Sequence, residues 1–320
     1  MIGGWIWLGI MAEKDNKNPY GDKKFVVNAG DTTAVIGKKL KAEGFISSRN
    51  FFSLYSRLKG LDSHWQVGEY KLNTTLSVKE IVNQLTRKDW NRAQKKLTFI
   101  EGWTRENMAA YLEREGLFPA ADFMKATGKA SSYDYEFLQD APAGVSLEGF
   151  LYPDTYNVYE DATPEEVVIK MLNNFDNKLT NDLRVEIVKQ KKKVYDIAIM
   201  ASIVEKEMFG YDNRRIVADI FWSRLRDGMA LQSDATISYF TKNKSASASL
   251  DETKIDNPYN TYKYQGLPPT PICNPSIESI QATILPTDSP YYYFLTTPDG
   301  KIIFSKTHEE HVANKYKYLK

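Results

Sequence analysis

From Asp196 to Glu207 the chain reads Asp-Ile-Ala-Ile-Met-Ala-Ser-Ile-Val-Glu-Lys-Glu, an almost unbroken apolar run that ends in two carboxylates around one lysine. Ile197, Ala201 and Glu205 stand at i, i+4 and i+8, so on a helix they lie along one stripe. If that stripe faces inward, Glu205 is an acid at the end of an apolar wall. Desolvation there favours the protonated carboxyl and suits it to general-acid chemistry. Glu207 follows Met200 and Ile203 at i+7 and i+4, so spacing alone leaves the two glutamates undecided. An exposed, purely structural Glu205 is the competing reading.

Composition excludes more than it assigns. The 320 residues are 42% hydrophobic and 26% charged, the balance of an ordinary globular protein of one large domain or two. With 42 basic against 41 acidic side chains, no global charge argues for nucleic acid or an anionic membrane surface. The 20 tyrosines and 6 tryptophans can stack on sugars as readily as they fill a core. The single cysteine, Cys273, excludes an internal disulfide and reads as structural. No phosphate loop or cofactor fingerprint occurs, so no cofactor is expected. His308 and His311 lie three apart, but the third histidine, His64, belongs to another part of the chain, and no metal site is expected.

Residues 1–23 form a segment of their own. Met1 to Met11 is uncharged and rich in Gly, Trp, Ile and Leu, too short to span a bilayer and without a signal peptide's basic start. It reads as the end of a membrane anchor followed by a polar stalk, the alternative being a frayed or vector-derived terminus.

Residues 24–94 read as strand, two helices, strand and helix. Asp31-Thr32, Ser47-Ser48 and the Ser77–Glu80 capping box open the helices. The Gly30-Asp31-Thr32 turn between strand and helix resembles the LysM glycan-binding module. Residues 95–320 form a larger mixed domain, opened by a strand and turn at Lys95–Trp103 and a helix capped by Thr104. Leu147 to Tyr156 packs two acids, a glycine, a proline and three aromatics into ten residues, a loop able to hold Glu148, Tyr152 and Asp154 in fixed directions. Pro164 opens a long scaffold helix, and Arg214–Arg226 is another, buried through Ile216, Ile220, Phe221 and Leu225. Leu231-Gln-Ser-Asp234, Asn257–Tyr262 and Gly266–Pro275 are stiff polar loops, the last too rich in proline for a helix or sheet. Such loops pair amides and hydroxyls with sugar hydroxyls at low ordering cost. Tyr291–Leu295 and Ile302–Phe304 close the chain as a hairpin around Asp299-Gly300.

Five ordered motifs, Glu148–Tyr156, Ala201–Glu207, Leu231–Asp234, Tyr259–Tyr262 and Gly266–Pro269, together resemble the MltG (YceG-like) endolytic murein transglycosylases. Phe304–Thr307 followed by Glu310-His311 resembles the family's ending, and the likeness runs from about Lys24 to the end. It implies an α+β fold and a lytic transglycosylase acting on peptidoglycan glycan strands, with cell-wall synthesis proteins as partners. It also implies a single-pass anchor in the bacterial cell membrane, with the catalytic domain outside the cytoplasm. Glu205, as first glutamate of the Val-Glu-Lys-Glu string, is then the expected catalytic acid. Glu148, Tyr152, Asp154, Gln232, Ser233, Asp234, Asn260, Thr261 and Tyr262 are the expected substrate-binding set. Ala235, Thr270 and Val312 depart from the family's usual proline, glycine and asparagine, which bears on substrate fit.

A lone acid fits one chemistry. If the sugar's own 6-hydroxyl attacks, one carboxyl protonates the leaving oxygen and then takes the proton from that hydroxyl. Hydrolysis would need a second carboxylate, here Asp154 or Glu148. A non-enzymatic wall-binding scaffold is the remaining alternative.

Overall fold

Twelve helices and three two-stranded antiparallel ladders make up residues 21–87, 92–243 and 248–319, the part of the chain described by the computed structural model. The class is α+β. Met1–Met11, expected as an anchor end, lies outside the described residues; among those, no helix is long and apolar enough to cross a membrane. The chain divides between Ala93 and Gln94 into two compact units.

In the first unit, strand β1 (Asp22–Val27) is followed by helices α1 (Thr33–Ala42) and α2 (Arg49–Leu58), strand β2 (Gly68–Asn73) and helix α3 (Val78–Thr86). The strands pair with Phe25 opposite Tyr70, and alternation sends Phe25, Val27, Tyr70 and Leu72 into the core. Thr32, Ser48 and Ser77 cap the three helices, and Ser77 and Glu80 complete the capping box. Trp65 stacks on Phe52 at 5.3 Å and donates to Thr33 Oγ1, tying the loop before β2 to the start of α1.

The second unit begins with β3 (Gln94–Thr98), α4 (Arg105–Arg114), α5 (Ala120–Ala126) and β4 (Thr155–Tyr159). Helices α6 (Pro164–Lys178), α7 (Asn181–Lys189), α8 (Val194–Glu207), α9 (Tyr211–Arg226), α10 (Asp234–Thr241) and α11 (Ile277–Ile284) follow. The unit ends with β5 (Tyr293–Thr296), β6 (Ile302–Ser305) and α12 (His308–Tyr318). Helix α8 is its spine: every residue from Ile197 to Val204 is buried, and the helix packs against α9, α10 and α11. A helix apolar all round can be stable only inside such a cage. Each fully buried isoleucine or leucine contributes about 2 kcal/mol.

Three elements escape periodicity. Strand β4 exists because β3, 57 residues earlier, pairs with it at Thr98 and Thr155. Helix α10 is short, and α12 has no buried residue and hence no apolar stripe to read. The loop between Leu147 and β4 is held from behind. Gly149 sits at φ +90°, and a Cβ there would stand 2.5 Å from Pro271, so only glycine fits. The side chain of Asn274 accepts from the Gly149 and Leu151 N–H groups at 2.9 and 3.0 Å and donates to the Trp103 carbonyl, pinning this loop to the proline-rich one.

Candidate active site

Successive residues of a helix are turned by about 100°, so Glu205 and Glu207 leave α8 about 200° apart. Each meets the start of a different helix. Glu205 points at α11, where its Oε2 accepts from the Ser276 N–H (2.9 Å), the Ser276 hydroxyl (2.5 Å) and the Ser279 hydroxyl (2.7 Å). Its Oε1 accepts from Arg214 at 3.2 Å, with both side chains below a tenth exposed. Arg214 continues to Glu278 at 2.9 Å and to the Met208 carbonyl at 3.0 Å. Both oxygens of Glu205 are thus occupied by protein donors. The apolar wall expected around this acid is instead a nest of hydroxyls, amide and guanidinium.

Glu207 meets the start of α10. Its Oε1 accepts from the Ser233 hydroxyl and, at 3.5 Å, from the Ala235 N–H; its Oε2 accepts no hydrogen bond from the described residues. Burial pushes this carboxyl above the usual range. The neighbouring Asp234 adds to that shift, while the Ser233 and Ala235 donors and the Arg224 charge oppose it.

Glu207 and Asp234 line two cavities. One, of about 550 Å³, is bounded by Thr104, Asn107, Lys206, Tyr239 and Lys242. The other, of about 520 Å³, is bounded by Gln232, Tyr262, Arg224, Tyr293 and α12. Glu205 lines neither. The Gln232–Asp234 turn is shaped from below. Gln232 lies at φ +52°, its N–H donating to the Thr261 carbonyl, while the Ser233 N–H donates to Thr261 Oγ1, each at 3.0 Å. Tyr262 donates to Asp234 Oδ1 at 2.7 Å.

The expected binding residues separate into two groups. Gln232, Asp234 and Tyr262 line a cavity with Glu207, and Ser233 reaches that acid from a buried position. Asn260 and Thr261 are buried supports: the Asn260 amide donates to the Thr253 and Ile255 carbonyls, so it presents nothing to a ligand. Glu148, Tyr152 and Asp154 line neither cavity. Glu148 is buried at the start of α4, accepting from the Arg105 N–H and, at 2.8 Å, from Asn274; burial pushes it up to about 8 against those donors. Tyr152 is buried too, which pushes its phenol up to about 12. Asp154 accepts from Asn174 and the Thr155 N–H, fixing the start of β4.

Arg224 and Tyr239 are cavity residues that the sequence motifs did not single out. Arg224 had a usable signal, since it follows Val217 and Phe221 at i+7 and i+3, on the buried stripe of α9. Tyr239 lies on the short helix α10 that periodicity missed. Cys273 is buried, its thiol donating to the Ser202 carbonyl at 3.3 Å, as a structural residue would.

An α+β frame in which one carboxyl, Glu207, lines two cavities makes a candidate acid–base site, and comparison gives the chain a family. The YceG-like family profile matches residues 25–317, and the chain belongs to that family. It is 30% identical to the endolytic murein transglycosylase of Bacillus subtilis (strain 168), over all of this chain and 91% of that protein. It is also 30% identical to the endolytic murein transglycosylase of Streptococcus pneumoniae (strain ATCC BAA-255 / R6), over 91% of this chain and 58% of that protein. A crystal structure of a YceG-like protein from Listeria monocytogenes superposes with a TM-score of 0.62 at 30% identity, covering 92% of this chain and 99% of that one.

Proposed function

We propose that the second unit cleaves the MurNAc–GlcNAc bond inside murein strands and leaves a 1,6-anhydromuramyl end, with Glu207 as acid and then base. The lytic transglycosylase class follows from family membership and from the likeness to the Bacillus enzyme along the whole chain. One observation carries the finer reading. Glu207 stands where two cavities meet, with one oxygen anchored by Ser233 and the other free. A strand lying through both cavities has sugars on each side of the acid, as cutting within a polymer requires.

Glu207 takes over the role that the motif resemblance gave to Glu205. The raised Glu207 carboxyl delivers its proton to the bridging oxygen as the C1–O bond breaks. Asp234, steadied by Tyr262, faces the positive charge that develops on C1 and the ring oxygen. The 6-hydroxyl of the same sugar then attacks C1 and returns its proton to Glu207, so no water is consumed. Asp234 also supports a second reading, since a second carboxylate beside the acid could activate water. Mass analysis of muropeptides released from sacculi separates the two. Anhydro ends support the transglycosylase, ends one water heavier support hydrolysis, and binding without release leaves only a scaffold.

The first unit is read as a LysM-like glycan-holding module, supported by its strand–helix–helix–strand order and by a cavity of about 520 Å³ beside Asp31, Arg57, Asp62 and Trp65. Trp65→Ala should weaken sacculus binding; unchanged binding removes the module from the reading. Met1–Met11 is read as an anchor end placing the enzyme outside the cytoplasm, which fractionation of cells producing the full chain would test.

A further inference from the structure

The two buried arginines of the second unit are treated differently. Arg214 is paired with two carboxylates. Arg224 is as deeply buried, 6% exposed, yet none of the described carboxylates lies within ion-pairing distance. Its Nε donates to the Tyr292 carbonyl and its Nη1 to the Leu231 carbonyl, each at 2.8 Å, and its Nη2 meets no acceptor among the described residues. The Tyr293 ring lies under the guanidinium at 4.9 Å and fixes its plane. A buried cation that feels Glu207 only from beyond ion-pairing distance is costly, and here it lines a cavity.

The wall beside it is also electropositive. Lys315 lines the same cavity and has no ion pair among the described residues. His311 stacks on Tyr293 at 5.3 Å, and its Nδ1 has no hydrogen-bond partner. Burial, with Lys315, Arg224 and His308 around it, pushes this imidazole down to about 4, so it is neutral near pH 7. The acids of the cavity are Glu207 and Asp234, and Asp234 is already hydrogen-bonded by Tyr262.

We propose that this cavity binds a carboxylate carried by the glycan strand, held between the Arg224 guanidinium and the Lys315 ammonium. The inference rests on the murein reading, because muramyl residues bear acidic substituents through their lactyl groups. Two sources share the chemistry: a carboxylate of the attached peptide, or the lactyl carboxylate itself where the peptide is absent. Either would sit to one side of the scissile bond and set the register of the strand against Glu207.

The test uses full-length Glu207→Gln protein and soluble murein strands in three forms: native, with free carboxylates converted to methylamides, and with peptides removed by an amidase. Capping should weaken binding about tenfold relative to native strands. Lys315→Ala, at an exposed helix position where folding is not at stake, should weaken native binding about fivefold and leave capped binding unchanged. Peptide-free strands that bind like native ones show that a freed lactyl carboxylate fills the site as well as a peptide carboxylate does; those that bind like capped ones assign the peptide alone. Equal binding of native and capped strands overturns the inference, as does a Lys315→Ala protein that still senses capping in full. Should unmutated protein cleave no strand while carboxylate-dependent binding persists, the lyase reading falls and the carboxylate site stands.

Discussion

The surroundings of Glu205 and Glu207 differ in one respect that matters. Both carboxylates are aimed at a helix start, where N–H groups and the helix dipole welcome negative charge. Around Glu205 the protein supplies three donors from Ser276 and Ser279 and a fourth from Arg214, and no oxygen is left over. Around Glu207, which lines both cavities, it supplies partners for one oxygen only and leaves the other without a hydrogen bond from the described residues. An acid that must give and take a proton needs an unfilled coordination, whereas an acid that must hold three helices together needs a filled one. Two residues of the same type, one lysine apart, are divided between those tasks.

The contrast is broken or sharpened most strongly by exchanging each glutamate for glutamine. Glu207→Gln should lower release of murein fragments by at least about 10³-fold, with the unfolding temperature nearly unchanged. Glu205→Gln should keep activity within about tenfold and lower stability by about 2 kcal/mol, since Arg214 loses its buried partner but keeps Glu278. The opposite pattern would return the acid's role to Glu205. A smaller effect is expected at the neighbour. Asp234→Asn removes a like charge from beside Glu207, lowering its raised pKa. Activity that depends on the protonated acid should then fall off at a lower pH than in the unmodified enzyme, which a pH profile of kcat/KM would report.

The smallest effect concerns another buried carboxyl, Glu148, which sits at the start of α4 and lines neither cavity. Its folded value of about 8 exceeds the ordinary 4.5, so the native state keeps the proton longer than the unfolded chain. The stability this contributes is complete below about pH 4.5 and is lost as pH rises toward about 8. Glu148→Gln cannot titrate. Its melting temperature should therefore fall less between about pH 5 and about pH 8 than that of the parent. An unchanged slope would show that Glu148 is ionised in the fold.

Much of this was legible in the residues. Caps at Thr32, Ser48, Ser77 and Thr104, the buried run of α8, the closing hairpin and the Gln232–Asp234 turn announce themselves through local chemistry. The choice between the two glutamates did not, because both follow apolar residues at helical spacing. What separates them is which loop each one meets, the Ser276–Ser279 start of α11 or the Ser233–Ala235 start of α10. Those contacts span 71 to 74 and 26 to 28 residues of sequence. The burial of Glu148 is hidden from its local sequence for a related reason. A dense polar loop looks like a binding rim, whereas here Asn274, 126 residues later, turns its acid inward.

The rotation between Glu205 and Glu207 has a consequence for how this chain can change over time. Deleting or inserting one residue of α8 ahead of Glu205 would swing both carboxylates by about 100° against the rest of the helix. The lock would come undone and the reactive oxygen would turn away from its cleft in the same event. Substitutions within the helix can be absorbed singly, but its count of residues cannot drift. In this protein the length of one helix is as much a part of the chemistry as the acid at its end.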